Sequence, residues 1–189
     1  MENQKYYELN VAGCKRMLPV CPLNENLSIA GFVILGDMEL IEKCSSELLK
    51  KIDFPFDFLI TGEMKGIPLA QEMARQHGDK RFFAARKSVK LYMADAFSVE
   101  VQSITTAGLQ KLVLDRSDVE AMKGKRMLIV DDVVSTGASL LAMEKLVEAA
   151  GGIVVGKMAI LAEGEAAERK DLIYLEKLPL LHPDGTPID

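Results

Sequence analysis

RMLIVDDVVSTGASL, from Arg126 to Leu140, has three parts in order: an apolar strand, two adjacent carboxylates, and a hydroxyl- and glycine-rich turn that opens a helix. Met127-Leu128-Ile129-Val130 is a short apolar run of the kind that fills the interior of a parallel sheet. Asp131 and Asp132 stand where that strand is expected to end. Ser135-Thr136-Gly137-Ala138-Ser139 supplies hydroxyls and unhindered backbone N–H groups at a helix N-terminus, which suits a phosphate dianion. Carboxylates repel phosphate and, when ionised, only accept hydrogen bonds, so their natural client nearby is a pair of hydroxyls. A ligand with a vicinal diol and a nearby phosphate is a ribose 5-phosphate. A helix N-capped by Ser135 or Thr136 would also explain the hydroxyls. It leaves two adjacent charges at the end of a buried strand unexplained, and burial penalises such charges unless they are partnered.

Outward from this stretch, strands and helices alternate. Asp37 is placed to cap a helix running to about Ile52, whose apolar residues recur at helical spacing. Strands are expected at Phe56 to Ile60 and Arg81 to Ala85, with a helix from Gly66 to about Gln76 between them. Two strands follow, near Ser98 to Ser103 and Gln110 to Leu114, then a short helix from Ser117 to Met122. After the opening stretch come a helix from Gly137 to Ala150, ended by Gly151-Gly152, and strands at Ile153 to Leu161 and Leu172 to Leu175. The alternation predicts an α/β fold with a doubly wound, mainly parallel sheet. Ligands of such sheets bind at the carboxyl ends of strands, where Asp131 and Asp132 fall. Residues 1–35 read as a separate small unit, with strands at Tyr6 to Val11 and Ile29 to Leu35 and interruptions at Pro19 and Pro22; residues 36–189 read as the core domain.

Composition sets the limits. With 189 residues the chain is long enough for one domain with a small appendage. A net charge of −5 argues against a nucleic-acid surface, so an anionic substrate must be met by local cationic clusters. Ten methionines in a slightly apolar chain leave surface to spare for a second copy, and a homodimer is expected. Cys14, Cys21 and Cys44 have no metal-ligand spacing, and with only His77 and His182 to join them no zinc site is in view. They read as small buried residues of a reducing compartment. No basic-then-apolar leader and no run of membrane-spanning length appear, so a cytoplasmic protein is expected.

Two further strand ends carry candidate residues. Thr61-Gly62-Glu63-Met64-Lys65-Gly66-Ile67-Pro68 has two glycines, a lysine and a helix start with a proline, and can present N–H groups to an anion. Arg86-Lys87-Ser88-Val89-Lys90 puts three cations in five residues after the next strand. A solvated basic loop is the common fate of such a run. Its position among the other strand-end loops favours binding.

The stretch from Val130 to Ser139 resembles the phosphoribosyl-diphosphate (PRPP) motif of the type I phosphoribosyltransferases, and the chain from about Asp57 to Ile160 is similar to their adenine and purine branch. The resemblance implies transfer of the 5-phosphoribosyl group from PRPP to a purine base, adenine first, giving a nucleoside 5′-monophosphate and pyrophosphate in purine salvage. It implies that Asp131 and Asp132 hold the ribose hydroxyls and that Val133, Val134, Ser135, Thr136, Gly137, Ala138 and Ser139 complete the ribose 5-phosphate site. Gly62, Glu63, Met64 and Lys65, with Arg86, Lys87 and Lys90, take the place of the pyrophosphate site. A mobile two-stranded lid is implied near residues 90–109, with Tyr92 and Ser103 as contacts and Glu100 as the candidate acid that protonates the purine. Mg²⁺ is implied as cofactor, held mainly by substrate and water. Residues 1–35 take the place of a hood over the base. The Phe-Arg-Asp element of the best-known adenine enzymes is absent there, and Lys15-Arg16-Met17-Leu18-Pro19 and Asn24-Glu25-Asn26 stand instead. The base therefore stays open among adenine, hypoxanthine, guanine, xanthine and orotate. A PRPP- or nucleotide-sensing regulator of the same fold is the alternative of a different class. The stretch Leu178 to Pro183 either covers the base pocket or forms a surface tail.

Overall fold

The computed structural model describes residues 4–93, 95–102 and 109–188. The chain opens with β1 (Tyr6–Val11), β2 (Cys14–Pro22) and β3 (Ser28–Ala30), an antiparallel sheet in that order. Next come α1 (Met38–Lys50), β4 (Phe58–Gly62), α2 (Ile67–His77) and β5 (Phe83–Ala85). β6 (Ala96–Gln102) and β7 (Leu109–Asp115) pair antiparallel with each other. α3 (Arg116–Met122), β8 (Arg126–Val134), α4 (Ala138–Ala149), β9 (Ile153–Glu163), a 3-10 turn (Gly164–Glu168) and β10 (Ile173–Leu178) complete the order.

The central sheet runs β10-β9-β8-β4-β5, and every neighbouring pair is parallel. Alternate residues along each strand point to opposite faces. One set, including Leu59, Leu128, Val130, Met158 and Ile160, packs on α1, α2 and the N-terminal sheet. The other set, including Ile60, Met127, Ile129 and Ala159, packs on α3, α4 and β7. Each such Leu or Ile, removed wholly from water, contributes roughly 1.5–3 kcal/mol. This is the doubly wound α/β architecture, and it places a switch in strand order between β4 and β8. From β4 the chain winds outward to β5; from β8 it winds the other way to β9 and β10. The loops leaving β4 and β8 therefore diverge and open a crevice at their carboxyl ends.

At the opposite, amino ends of the same two strands, Asp57 and Arg126 clip the sheet together. The Asp57 N–H donates to the Arg126 carbonyl at 2.8 Å, and Asp57 Oδ2 accepts from the Arg126 N–H at 2.7 Å. The guanidinium closes the pair with Nη2 2.8 Å from Oδ1. The hydrogen bonds from the Arg126 side chain and backbone hold the Asp57 carboxyl down at about 2. α1 begins where expected: Asp37 accepts from the Leu40 N–H at 3.1 Å and is held in turn by Arg16 of β2.

Three readings of the sequence shift. β8 does not stop at Val130 but pairs with β9 as far as Val134, so Asp131 and Asp132 lie within a strand. Ladder bonds come from the backbone, and β9 is long enough to continue them past the charges. β2 runs through Pro19 instead of breaking there, because Pro19 is where β2 leaves β1 and takes up β3. A missing N–H costs least at such a change of partner. Of the expected strand from Ile29 to Leu35 only Ile29 and Ala30 fall in β3, although Phe32 and Ile34 are buried. The C-terminal stretch joins the N-terminal sheet. Leu181 is fully buried and exchanges two 2.8 Å backbone hydrogen bonds with Ser28. Among the described residues no helix is long and apolar enough to cross a membrane.

Candidate functional site

A cleft of about 660 Å³ opens at the switch between β4 and β8. Its floor is the acidic pair. Asp132 is only 3% exposed, and Asp131 is half-buried beside it. Asp131 Oδ1 accepts from the Asp132 N–H at 2.9 Å. Burial, reinforced by the charge of Asp132, pushes the Asp131 carboxyl well above the usual carboxylate range. Lys65 Nζ lies 2.9 Å from Asp132 Oδ2 and partly offsets the repulsion. Apart from this ammonium, which is out of line for a regular hydrogen bond, the buried Oδ2 meets no donor among the described residues. Buried acceptors are rarely left so, and one facing a cleft marks a place for a ligand's donor.

The loop after β4 forms one wall. Gly66 packs so tightly that a Cβ there would collide with the Thr61 hydroxyl and lie 3.2 Å from Asp131 Oδ1, so the loop can pass over the acidic pair only as glycine. The Thr61 hydroxyl beneath is buried and has no hydrogen-bond partner among the described residues. The peptide between Glu63 and Met64 is cis, and the Met64 side chain is exposed. Glu63 lines the cleft and also ties this loop to the cationic one. Its carboxylate accepts from the Lys87 N–H at 3.0 Å and from Arg86 Nη1 at 3.2 Å, with Lys90 Nζ 3.9 Å away. Those contacts, the Lys87 N–H foremost, hold its carboxyl below the ordinary range. Lys87 reaches the cleft wall. Arg86 is fixed through its backbone, by paired 2.8 Å bonds with Val113 of β7.

The loop after β8 forms the other wall. Gly137, at φ +76°, is the N-cap of α4, and just before it the Thr136 hydroxyl accepts from the Ala138 N–H at a long 3.4 Å. Ser135, Thr136 and Ser139 are all exposed, Thr136 still has its O–H to donate, and Ser139 lines the cleft. Val133 lines it too, while Val134 is buried behind it. A Cβ on Gly137 would lie 2.7 Å from Arg169 Nη1, so a guanidinium rests on this turn.

The residues expected in a lid are less gathered. Tyr92 is exposed and does not line the cleft. Glu100 faces Lys111 across the β6–β7 pair, 3.5 Å away, and Lys111 rather than Glu100 reaches the cleft. Ser103 lies outside the described residues. The base of the β6–β7 sheet is anchored: Leu112, Val113 and Leu114 are buried.

The model of the phosphoribosyl transferase domain matches residues 35–178 of this chain. The chain belongs to that family. Two hypoxanthine/guanine phosphoribosyltransferases are 31% identical to it. The one from Methanothrix thermoacetophila aligns over 69% of this chain and 65% of its own length. The one from Methanococcus voltae aligns over 75% and 71%. The crystal structure of adenine phosphoribosyltransferase from Thermoanaerobacter pseudethanolicus shares the fold, with a TM-score of 0.66 over 92% of this chain and 95% of that one, at 24% identity. The type I phosphoribosyltransferase fold read from the PRPP motif is thus the fold found.

Within this phosphoribosyltransferase fold, the cleft also takes Lys111, Leu112 and Met143, none of which the sequence marks. Lys111 and Leu112 sit in a strand of ordinary pattern, and Met143 is a plain apolar position of α4. Arg169 comes beyond the end of β9, after the five-residue 3-10 turn, and nothing in the local pattern marks it.

Proposed function

We propose that this cleft transfers the 5-phosphoribosyl group of PRPP to a purine base, adenine first, releasing pyrophosphate. One observation carries the reading: a buried carboxylate oxygen, met among the described residues only by the Lys65 ammonium, lies on the strand that runs directly into an exposed turn of hydroxyls and N–H groups. A ribose held by its 2′- and 3′-hydroxyls on Asp131 and Asp132 supplies the missing donors. Its 5′-phosphate lies in the turn from Ser135 to Ser139, at the N-terminus of α4. The negative pair then sits beneath the positive charge that develops at C1′ as the bond to pyrophosphate breaks. Pyrophosphate leaves against the Gly62–Lys65 backbone, Lys87 and, once Glu63 yields them, Arg86 and Lys90. Glu100, held by Lys111, is assigned no proton here. The N-terminal sheet and the C-terminal stretch bonded to it cover the base.

Among the described residues no three His, Cys, Asp or Glu side chains gather to hold a metal. An Mg²⁺ here would therefore be held mainly by substrate oxygens and water, with Asp131 and Asp132 acting on it only through those ligands. When bound, it neutralises charge on the departing pyrophosphate. A homodimer and a cytoplasmic setting complete the proposal.

A hypoxanthine or guanine enzyme is the second reading, and the 31% identical relatives favour it. Incubation with PRPP, Mg²⁺ and each of adenine, hypoxanthine, guanine, xanthine and orotate, read by chromatography of the nucleotides, tests both. Adenosine monophosphate as the main product supports the first reading. No nucleotide from any base overturns the transferase itself.

A further inference from the structure

The 5′-phosphate turn lacks a charge of its own. Ser135, Thr136, Gly137, Ala138 and Ser139 are neutral, in a chain of net charge −5. On the opposite wall Lys65 is paired with Asp132 and Arg86 with Glu63, and Lys87 stands beside Glu63 on the side proposed for pyrophosphate. Arg169, at the end of the 3-10 turn that follows β9, is the cation that rests on this turn.

Its guanidinium is aimed. Nε and Nη2 donate to Asp171 at 3.1 and 2.8 Å. Asp171 is held by Lys157 Nζ at 2.7 Å, and Lys157 also pairs with Glu144 of α4. One edge of the fork is thus fixed by a chain of ion pairs reaching back to the helix whose N-terminus forms the turn. Nη1 is left over, facing Gly137 with no acceptor among the described residues. A surface salt bridge with Asp171 alone does not account for the place. The N-terminus of a helix carries a partial positive charge, so a cation parked there is repelled unless an anion lies between. A phosphate dianion is such an anion, and a guanidinium is the side chain best shaped to share its oxygens.

We propose that Arg169 is a further phosphate-binding residue, whose Nη1 donates to the 5′-phosphate of the ribosyl substrate from the side opposite the backbone N–H groups. The inference rests on the transferase reading of this turn. It also gives Gly137 a second reason to be glycine, since any side chain there would push the guanidinium away.

Titration calorimetry of the whole protein with ribose 5-phosphate and, separately, with pyrophosphate tests it. Arg169→Gln should weaken ribose 5-phosphate binding by about tenfold, the loss of one charge-assisted hydrogen bond. Pyrophosphate binding should stay as in the wild type, which also reports an intact fold. Arg169→Lys keeps the charge without the fork and should fall between. Steady-state kinetics should show the same loss in KM for PRPP, with kcat little changed. Equal ribose 5-phosphate affinity in wild type and Arg169→Gln overturns the assignment, as does an equal loss for both ligands. Wild-type protein that binds neither ligand overturns the transferase reading and this inference with it.

Discussion

The strand pair β4–β8 carries aspartates at both ends, and the two ends treat them in opposite ways. At the amino end Asp57 meets a backbone N–H and a bidentate guanidinium from Arg126, and its carboxyl is held at about 2. At the carboxyl end Asp131 and Asp132 are set side by side, more deeply buried, with one half-exposed ammonium, Lys65, to answer two carboxyl groups, and Asp131 is pushed upward. Residue type and strand pair are the same; only the partners differ. The first arrangement favours the folded chain and needs nothing else. The second opposes folding and makes physical sense only when something outside the chain supplies hydrogen-bond donors. A carboxylate satisfied by its own chain is architecture, and one left unsatisfied at a strand end is a binding group.

The largest effect should come from the unsatisfied end. Asp131→Asn keeps an acceptor for the Asp132 N–H but removes a charge beneath C1′. A fall in kcat/KM on the order of 10²–10³-fold is expected, the scale for losing one preorganised electrostatic group. Stability should move the other way. The raised value of Asp131 means that the folded state binds its proton more tightly than the unfolded chain does. The contribution of Asp131 to stability is therefore full below its unfolded value, near 4, and is lost as pH rises through the raised value. Asp131→Asn escapes that loss, so its Tm should exceed that of the wild type at neutral pH and match it near pH 4. A Tm that falls at neutral pH would show that the pair is not held against its own repulsion. The satisfied end should respond in the opposite sense. The value of Asp57 is depressed, so its contribution is present above the unfolded carboxylate value and disappears as pH falls towards about 2. Asp57→Asn should lower Tm by a few degrees at neutral pH, progressively less in acid, with kcat unchanged. An altered kcat would mean that the two ends are coupled.

The contrast also explains what could be read from the sequence. The acidic pair and the Ser-Thr-Gly turn lie within nine residues, so one strand-to-helix turn brings them together and local pattern suffices. The alternation of elements was legible for the same reason, since period and length are local. The partners of Asp57 and of the Gly137 turn are not local. Arg126 and Arg169 arrive through the winding of the sheet, and no spacing rule connects Asp57 with Arg126 or Gly137 with Arg169. Pro19 misled because a proline usually breaks a strand, and only the three-dimensional pairing shows that β2 changes partner there. The base is illegible for a related reason: the cover proposed for it comes from the first and last stretches of the chain, which join at Ser28 and Leu181.

A smaller effect should come from the cation wall, where Glu63 stands between the two extremes: satisfied by its own chain, yet lining the cleft. Glu63→Gln preserves an acceptor for the Lys87 N–H and frees Arg86 and Lys90 from a competing charge. Pyrophosphate should bind about two- to fivefold tighter, the scale of a partly exposed ion pair, as read by product inhibition. Weaker binding would show that Glu63 serves to aim Arg86 rather than to occupy it.

The smallest effect is expected at Glu100. Its carboxylate is exposed, faces Lys111 across the β6–β7 pair, and does not line the cleft. An exposed pair of this kind contributes about 0–1 kcal/mol, so Glu100→Gln should leave Tm nearly unchanged and kcat within about threefold, since a removed acid catalyst costs about 10²–10⁴-fold. The alkaline limb of the kcat profile separates the cases. A proton donor at Glu100 would have to come out of its pairing with Lys111 and into contact with the base, and its replacement would erase that limb. Persistence of the limb in Glu100→Gln, with kcat intact, leaves the leaving pyrophosphate and the unsatisfied aspartate pair to carry the reaction between them.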